Sequence, residues 1–258
     1  MRVELPNSAF LGNLDGTFLK KLDTSNEQEL QVTFNPNWTA VHPLVLAMTA
    51  ALAYRIKDKG GQIKAQQPVA KSKNYLEAMK LTDVLGLEPV PVIKHESSGK
   101  FIPITKVSSS AELTKFIEEM VPLLHTSPEV ADSVKYVVSE LVRNVFEHAN
   151  TSYGAVVCAQ YFKKSKKIAV GVADTGQGIK NSINFSYPAK TDMEAIKLAL
   201  TPGITGSTQK VGGTETNAGA GLFFIRSIAK INKQFFVLYS GNGFYKLLKE
   251  ATGKKIRL

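Results

Sequence analysis

Ser139-Glu140-Leu141-Val142-Arg143-Asn144-Val145-Phe146-Glu147-His148-Ala149, with Asp174-Thr175-Gly176-Gln177-Gly178 downstream, is the stretch on which the reading of this chain turns. Residues four apart on a helix share a face, so a helix here projects Glu140, Asn144 and His148 together. Val134, Val137, Val138, Leu141 and Val145 then fall mostly on the other side. Taken alone, Glu140 and Asn144 read as the solvated side of an amphipathic helix. Two glycine-bearing segments nearer the C-terminus change that reading.

Lys167-Ile168-Ala169-Val170-Gly171-Val172-Ala173 is a short apolar, β-branched run and predicts a buried strand. It ends in Asp174, after which Gly176 and Gly178 let the backbone turn tightly. A third segment, Asn217-Ala218-Gly219-Ala220-Gly221-Leu222-Phe223-Phe224-Ile225-Arg226-Ser227-Ile228-Ala229, runs from a glycine-rich loop into an apolar helix. Such a helix start presents free N–H groups and a positive dipole end to phosphate. Short glycine patterns recur by chance; the order and spacing of all three segments make the set specific.

The three segments resemble the N-box and the two glycine boxes of the GHKL ATPases, which include gyrase, the heat-shock chaperone, histidine kinases, mismatch-repair ATPases and anti-sigma-factor kinases. The resemblance covers about residues 108–258. It implies a two-layer α/β sandwich of the Bergerat ATP-binding type with a mixed sheet, and it implies ATP and Mg²⁺ as cofactors. By the same resemblance Asn144 holds Mg²⁺, a role an amide oxygen can fill beside water and phosphate ligands. Asp174 accepts a hydrogen bond from the adenine amino group, Gly176 and Gly178 lie beneath the base, and Gly219, Gly221 and Leu222 serve the phosphates. Glu140, one turn before Asn144, polarises a water or a substrate hydroxyl, general-base work that needs a carboxylate within hydrogen-bond reach. His148 takes either a supporting place near the phosphates or a helix-terminal one, since cations suit helix C-termini. Arg143 reads as a surface or interface charge and Glu147 as solvated. A mobile lid is expected within Ile179 to Ala218.

At 258 residues the chain suits two domains of ordinary size, and 43% hydrophobic with 21% charged residues is a globular composition. No apolar run approaches the ~18 residues of a spanning helix. Met1-Arg2-Val3-Glu4-Leu5-Pro6 lacks the apolar core of a signal peptide. The lone Cys158 reads as a reduced, buried thiol. Together these point to a cytoplasmic protein. The net charge of +10 is spread over dispersed lysines and reads as a solvated basic surface; no nucleic-acid motif accompanies it. Acidic partners remain compatible with that charge. A protein partner is expected, and a homodimer is open to it.

The first half has a separate pattern. Glu29 to Phe34 alternates like a strand, Val41 to Lys57 reads as an Ala/Leu/Val-rich helix ended by Gly60-Gly61, Gln62 to Ala65 is a short strand, and Lys73 to Leu85 is a helix stopped by Gly86. Strand–helix–strand–helix order implies an α/β unit with parallel pairing. Over residues 28–90 it resembles the STAS domain of anti-sigma-factor antagonists. Phosphorylatable members carry an Asp-Ser pair at the start of the first of these helices. This chain has His42-Pro43-Leu44 there, with Thr39 the nearest hydroxyl, so the resemblance implies docking or dimerisation rather than a phosphorylation switch. His42 reads as a helix-start residue. Neither it, His95 nor His125 shows the surroundings of a phosphoacceptor histidine.

The expected organisation is therefore a smaller STAS-like α/β domain over 1–107 and the ATPase domain over 108–258. Within the latter, Ala111–Val121 is the first helix. Lys163-Lys164-Ser165-Lys166-Lys167 turns between strands 154–162 and 168–173. Met193–Leu200 is a helix in the lid region. Gln234–Tyr239 and Gly243–Leu248 form a hairpin across Ser240-Gly241-Asn242. Three reactions fit: phosphorylation of protein Ser or Thr, slow ATP hydrolysis, and nucleotide sensing without turnover.

Overall fold

The computed structural model describes residues 1–88, 101–184, 186–204 and 221–247. Contacts divide the chain into two compact units, Met1–Gly178 and Ile179–Leu258. The boundary expected near Val107 falls inside the first unit, because one apolar helix serves the residues on both sides of it.

The first half opens with β1 (Arg2–Leu5), β2 (Ser8–Ala9), α1 (Leu14–Thr17), β3 (Glu29–Phe34) and β4 (Ala40–Val41). It continues with α2 (Pro43–Asp58), β5 (Gln62–Ala65), α3 (Ala70–Ala78) and α4 (Leu81–Leu85). The parallel pairing expected of β3 and β5 is present, with Leu30 beside Ile63. A strand that sequence reading passed over, β1, pairs parallel on the other side of β3, Val3 beside Val32. The single helix expected over Lys73–Leu85 is broken into α3 and α4, because Lys80 adopts a left-handed conformation at φ 61°. His42 caps α2, its Nδ1 accepting from the Leu44 N–H at 3.1 Å. Burial holds that imidazole down at about 4, so it caps as a neutral acceptor.

After β6 (Phe101–Val107) come α5 (Ser110–Met120), α6 (Pro128–Asn144), β7 (Ala155–Phe162) and β8 (Lys167–Ala173). Ser108, Ser109 and Glu112 fix the start of α5: the Glu112 carboxylate accepts from the Ser108 N–H at 2.7 Å, while Ser109 Oγ accepts from the Glu112 N–H. The sheet runs β6-β7-β8 and is antiparallel throughout. The mixed sheet expected from the resemblance is not seen among the described residues.

Side-chain parity explains how this sheet is covered. Ala155, Val157 and Ala159 of β7 join Ile168, Val170 and Val172 of β8 against Leu113, Phe116 and Met120 of α5 and Val138 and Val142 of α6. The opposite face carries Val156, Cys158, Gly171 and Ala173, paired Val156 with Ala173 and Cys158 with Gly171. There α2 lies directly on the strands. Cys158 Sγ donates to the Pro43 carbonyl at 3.2 Å, and a Cβ on Gly171 would sit 2.4 Å from the Leu44 nitrogen. The sheet is thus held between helices on both faces, where two layers were expected.

The same α2 also packs on β3 and β5. A helix wedged between two sheets must be apolar on every side, and Val45, Leu46, Ala47, Ala50, Ala51, Leu52, Ala53 and Ile56 are all buried. Burying each of its larger side chains is worth about 2 kcal/mol. Four such residues approach the whole net stability of a domain, about 5–15 kcal/mol. Residues 1–88 and the strands β6–β8 therefore share one core.

The second unit contains the rest of α7 (Gly178–Asn184), then α8 (Asp192–Ala199), α9 (Gly221–Ile231), β9 (Phe236–Ser240) and β10 (Gly243–Leu247). The expected hairpin forms, with Gly241 at φ 56° in its two-residue loop. The Asp192 carboxylate accepts from the Asn242 N–H at 3.0 Å and ties α8 to that loop. Part of the lid region, residues 205–218, lies outside the described residues. Among the described residues no helix is long and apolar enough to cross a membrane.

Candidate functional site

The helix α6 turns Ala131, Val138, Val142, Val145 and Ala149 into the core. Val137 and Leu141, expected on that side, are only half-buried. The core stripe is rotated from the expected one, and Val142 belongs to it. Glu140, Asn144 and His148 are each half-buried on the other flank.

At Val145 the helix widens into a π turn that runs to Ala149, and Asn150 ends it in the left-handed conformation at φ 55°. The carbonyls at the end of this turn find partners outside the helix. Gln177 donates its backbone N–H to the Ala149 carbonyl at 2.8 Å and its side-chain amide to the His148 carbonyl at 2.7 Å. Gly176 lies so close that a Cβ would come 2.0 Å from the Ala149 oxygen, a contact no side chain can make. Gly178, at φ 76°, then turns the chain into α7. The turn after β8 is stapled to the end of the helix that carries Glu140 and Asn144.

That staple sets Asp174. Its Oδ1 accepts from the Gly176 N–H at 2.8 Å; the other oxygen makes no hydrogen bond among the described residues. The residue is open to solvent, yet enough protein surrounds it that desolvation pushes its carboxyl above the usual aspartate range, against the pull of the Gly176 N–H.

Asn144 carries the second notable feature. Its Nδ2 is buried without a hydrogen-bond partner among the described residues. Rotating the amide by half a turn places the carbonyl oxygen at that same position, so the unpartnered end can accept from, or ligate, a bound group. Mg²⁺ is usually held by one or two protein oxygens, with water and phosphate oxygens completing the octahedron. A single available amide oxygen suits that donor set. Glu140 Oε1 lies 3.4 Å from Arg143 Nη1, and His148 Nε2 lies 3.7 Å from Glu147 Oε2.

One family model spans all of these positions. Residues 105–231 match the histidine kinase-like ATPase domain. No curated protein and no solved structure matches the chain. The matched range contains every site candidate read from the sequence. Within the matched range, Glu140, Asn144, His148, Asp174, Gly176 and Gly178 fall in the first unit. Gly221 and Leu222 open α9 in the second unit, and Gly219 lies outside the described residues.

Sequence reading gave Gln177 no role, although it holds the Asp174 turn against the π turn through two hydrogen bonds. Its position between two glycines was the only signal. Tyr153 and Thr175 were likewise passed over, although their hydroxyls bond to each other next to Asp174.

Proposed function

We propose that the ATPase domain binds Mg·ATP, with the Asp174 carboxylate recognising the adenine amino group and Asn144 holding the metal. The observation that carries this reading is that Asp174 and Asn144, each with a polar atom unused among the described residues, lie on two elements locked together through Gly176 and Gln177. Gly176 and Gly178 lie beneath the base, while Gly219, Gly221 and Leu222 take the phosphate-binding role the resemblance gives them. When bound, Mg²⁺ neutralises phosphate charge and fixes the triphosphate in place. Glu140, one helical turn before Asn144, accepts the proton of the attacking water or hydroxyl. His148 supports the phosphate side.

The reaction read here is regulatory phosphoryl transfer, either ATP hydrolysis or phosphorylation of a protein Ser or Thr as in anti-sigma-factor kinases. The strand–helix–strand–helix order of β3, α2, β5 and α3 supports the STAS-like reading of residues 1–107 as a docking module for a protein partner. Cytoplasmic location and a homodimer belong to the same proposal. The ion pair between Glu140 and Arg143 favours a second reading: a nucleotide-sensing module without turnover, its carboxylate neutralised by its own helix.

Incubation with γ-labelled ATP separates the outcomes. Label on protein identifies a kinase, free phosphate an ATPase, and binding with neither a sensing module. Where turnover is found, Glu140→Ala is expected to lower it at least about 100-fold while ATP affinity stays within about threefold. Asn144→Ala is expected to remove the difference between titrations with Mg²⁺ and with chelator. Retained turnover in the first variant, or a retained Mg²⁺ effect in the second, overturns the assignment concerned.

A further inference from the structure

Asn150 to Gly154 join the π turn to β7, and two residues of that connection are fastened to α2. Ser152 Oγ donates to the Asp58 carboxylate, and Tyr153 Oη donates to the Ala51 carbonyl at 3.2 Å. Ala51 and Asp58 are seven residues apart, two turns, so both anchors lie on one face of α2. Gly154, at φ 72°, leaves no room for a side chain beside the Val107 carbonyl and fixes the chain where Tyr153 leaves it.

Tyr153 Oη makes one more contact, a close hydrogen bond to Thr175 Oγ1. The direction of this pair comes from proton counting. A phenol has one proton, and the Ala51 carbonyl can only accept, so that proton goes to Ala51. Thr175 therefore donates to Tyr153. Thr175 is the residue between Asp174 and Gly176, in the turn that carries the base-recognising carboxylate. Burial, helped by the nearby Asp174 charge and opposed by the Thr175 bond, pushes the phenol up to about 12, so it stays protonated and the direction holds across the physiological range.

We propose that Tyr153 is a positioning residue for Asp174: through Thr175 it sets the attitude of the carboxylate toward the base, using α2 as the fixed support. Gly176 and Gln177 hold the turn from the side of the π helix. Tyr153 holds it from the side of α2. A carboxylate fixed from one side alone is free to tilt, and base recognition by a hydrogen bond weakens steeply with misalignment. The consequence is specific to the base, because the phosphates and the metal are bound by other residues. This role rests on Asp174 being the group that recognises the base.

The experiment compares ATP with inosine triphosphate, which carries a carbonyl in place of the adenine amino group. Calorimetric titration is run on the whole chain for wild type, Asp174→Asn, Tyr153→Phe, Thr175→Val and the Tyr153→Phe/Thr175→Val pair. Wild type is expected to prefer ATP, and Tyr153→Phe to lose about fivefold or more of that preference, the scale of one buried hydrogen bond. Thr175→Val should do the same, and the double variant no more than either single one, because both remove the same bond. Should Tyr153→Phe fold poorly, Thr175→Val tests the same bond from its other end. Wild-type preference that Asp174→Asn removes and both hydroxyl variants keep overturns the positioning role and spares the Asp174 assignment. Absence of any preference in wild type overturns that assignment, and the positioning role with it.

Discussion

Replacing Asp174 with asparagine is expected to weaken ATP binding roughly 10- to 150-fold, the equivalent of the 1.5–3 kcal/mol carried by a hydrogen bond to a charged group. The carboxylate uses one oxygen for the Gly176 N–H, and in the proposed site the other accepts from the base. An amide supplies only one acceptor for these two donors. Whichever way it turns, an NH₂ group meets a donor. Calorimetric titration checks this, and an affinity within threefold of wild type would refute the base-recognition role. The pH dependence has opposite signs for folding and binding. Desolvation raises the folded-state pKa of Asp174 above that of the unfolded chain. Protonation thus favours the ligand-free fold, a contribution fully present below the unfolded value and lost as pH rises through the folded one. Recognition of the amino group needs the ionised form, so ATP affinity is expected to fall as pH drops through that same raised pKa.

The second large effect is expected at Gly171. Its missing side chain is what lets α2 lie on the sheet: a Cβ there would come 2.4–2.6 Å from backbone atoms of Pro43 and Leu44. Backbone cannot yield as a flexible side chain does. Gly171→Val is therefore expected to cost upwards of about 3 kcal/mol, at the severe end of overpacked cores. For a unit of this size that lowers the melting temperature by roughly 6–12 °C. Thermal unfolding monitored by circular dichroism measures it; a shift below about 2 °C would show that α2 does not rest on β8.

Much of this was legible in the chain. The spacing of Glu140, Asn144 and Asp174 with their glycines pointed to the same kind of domain as the family model that matches residues 105–231, the histidine kinase-like ATPase domain. The strands β3 and β5 and the helix α2 came from periodicity within a residue or two. What periodicity could not give was the partner of each face. Ala155 to Ala159 is apolar at every position, not at alternate ones, and a strand of that kind needs cover on both sides. Read together with the all-round apolar surface of α2, that run contained the sandwiching of the sheet, but only as two halves of a match over a hundred residues apart. β1 was missed although Arg2-Val3-Glu4-Leu5 alternates polar and apolar over four residues as β5 does, because that segment was weighed only as a leader. The π turn left no trace at all: Val145 to Ala149 is ordinary helical sequence, and the widening is settled by what Gln177 and Gly176 bring to its carbonyls. Its partners, one backbone N–H and one side-chain amide, come from a glycine turn 29 residues on, outside the reach of helical periodicity.

Cys158 sits at the seam where α2 meets β7, its sulfur against the Pro43 carbonyl and shut away from solvent, with burial pushing the thiol far above its ordinary pKa. Native protein consequently carries its own gauge of that seam. An alkylating reagent finds a reactive sulfur only in molecules whose helix has lifted, so the speed of modification counts those excursions one by one, without a label having to be engineered into the chain.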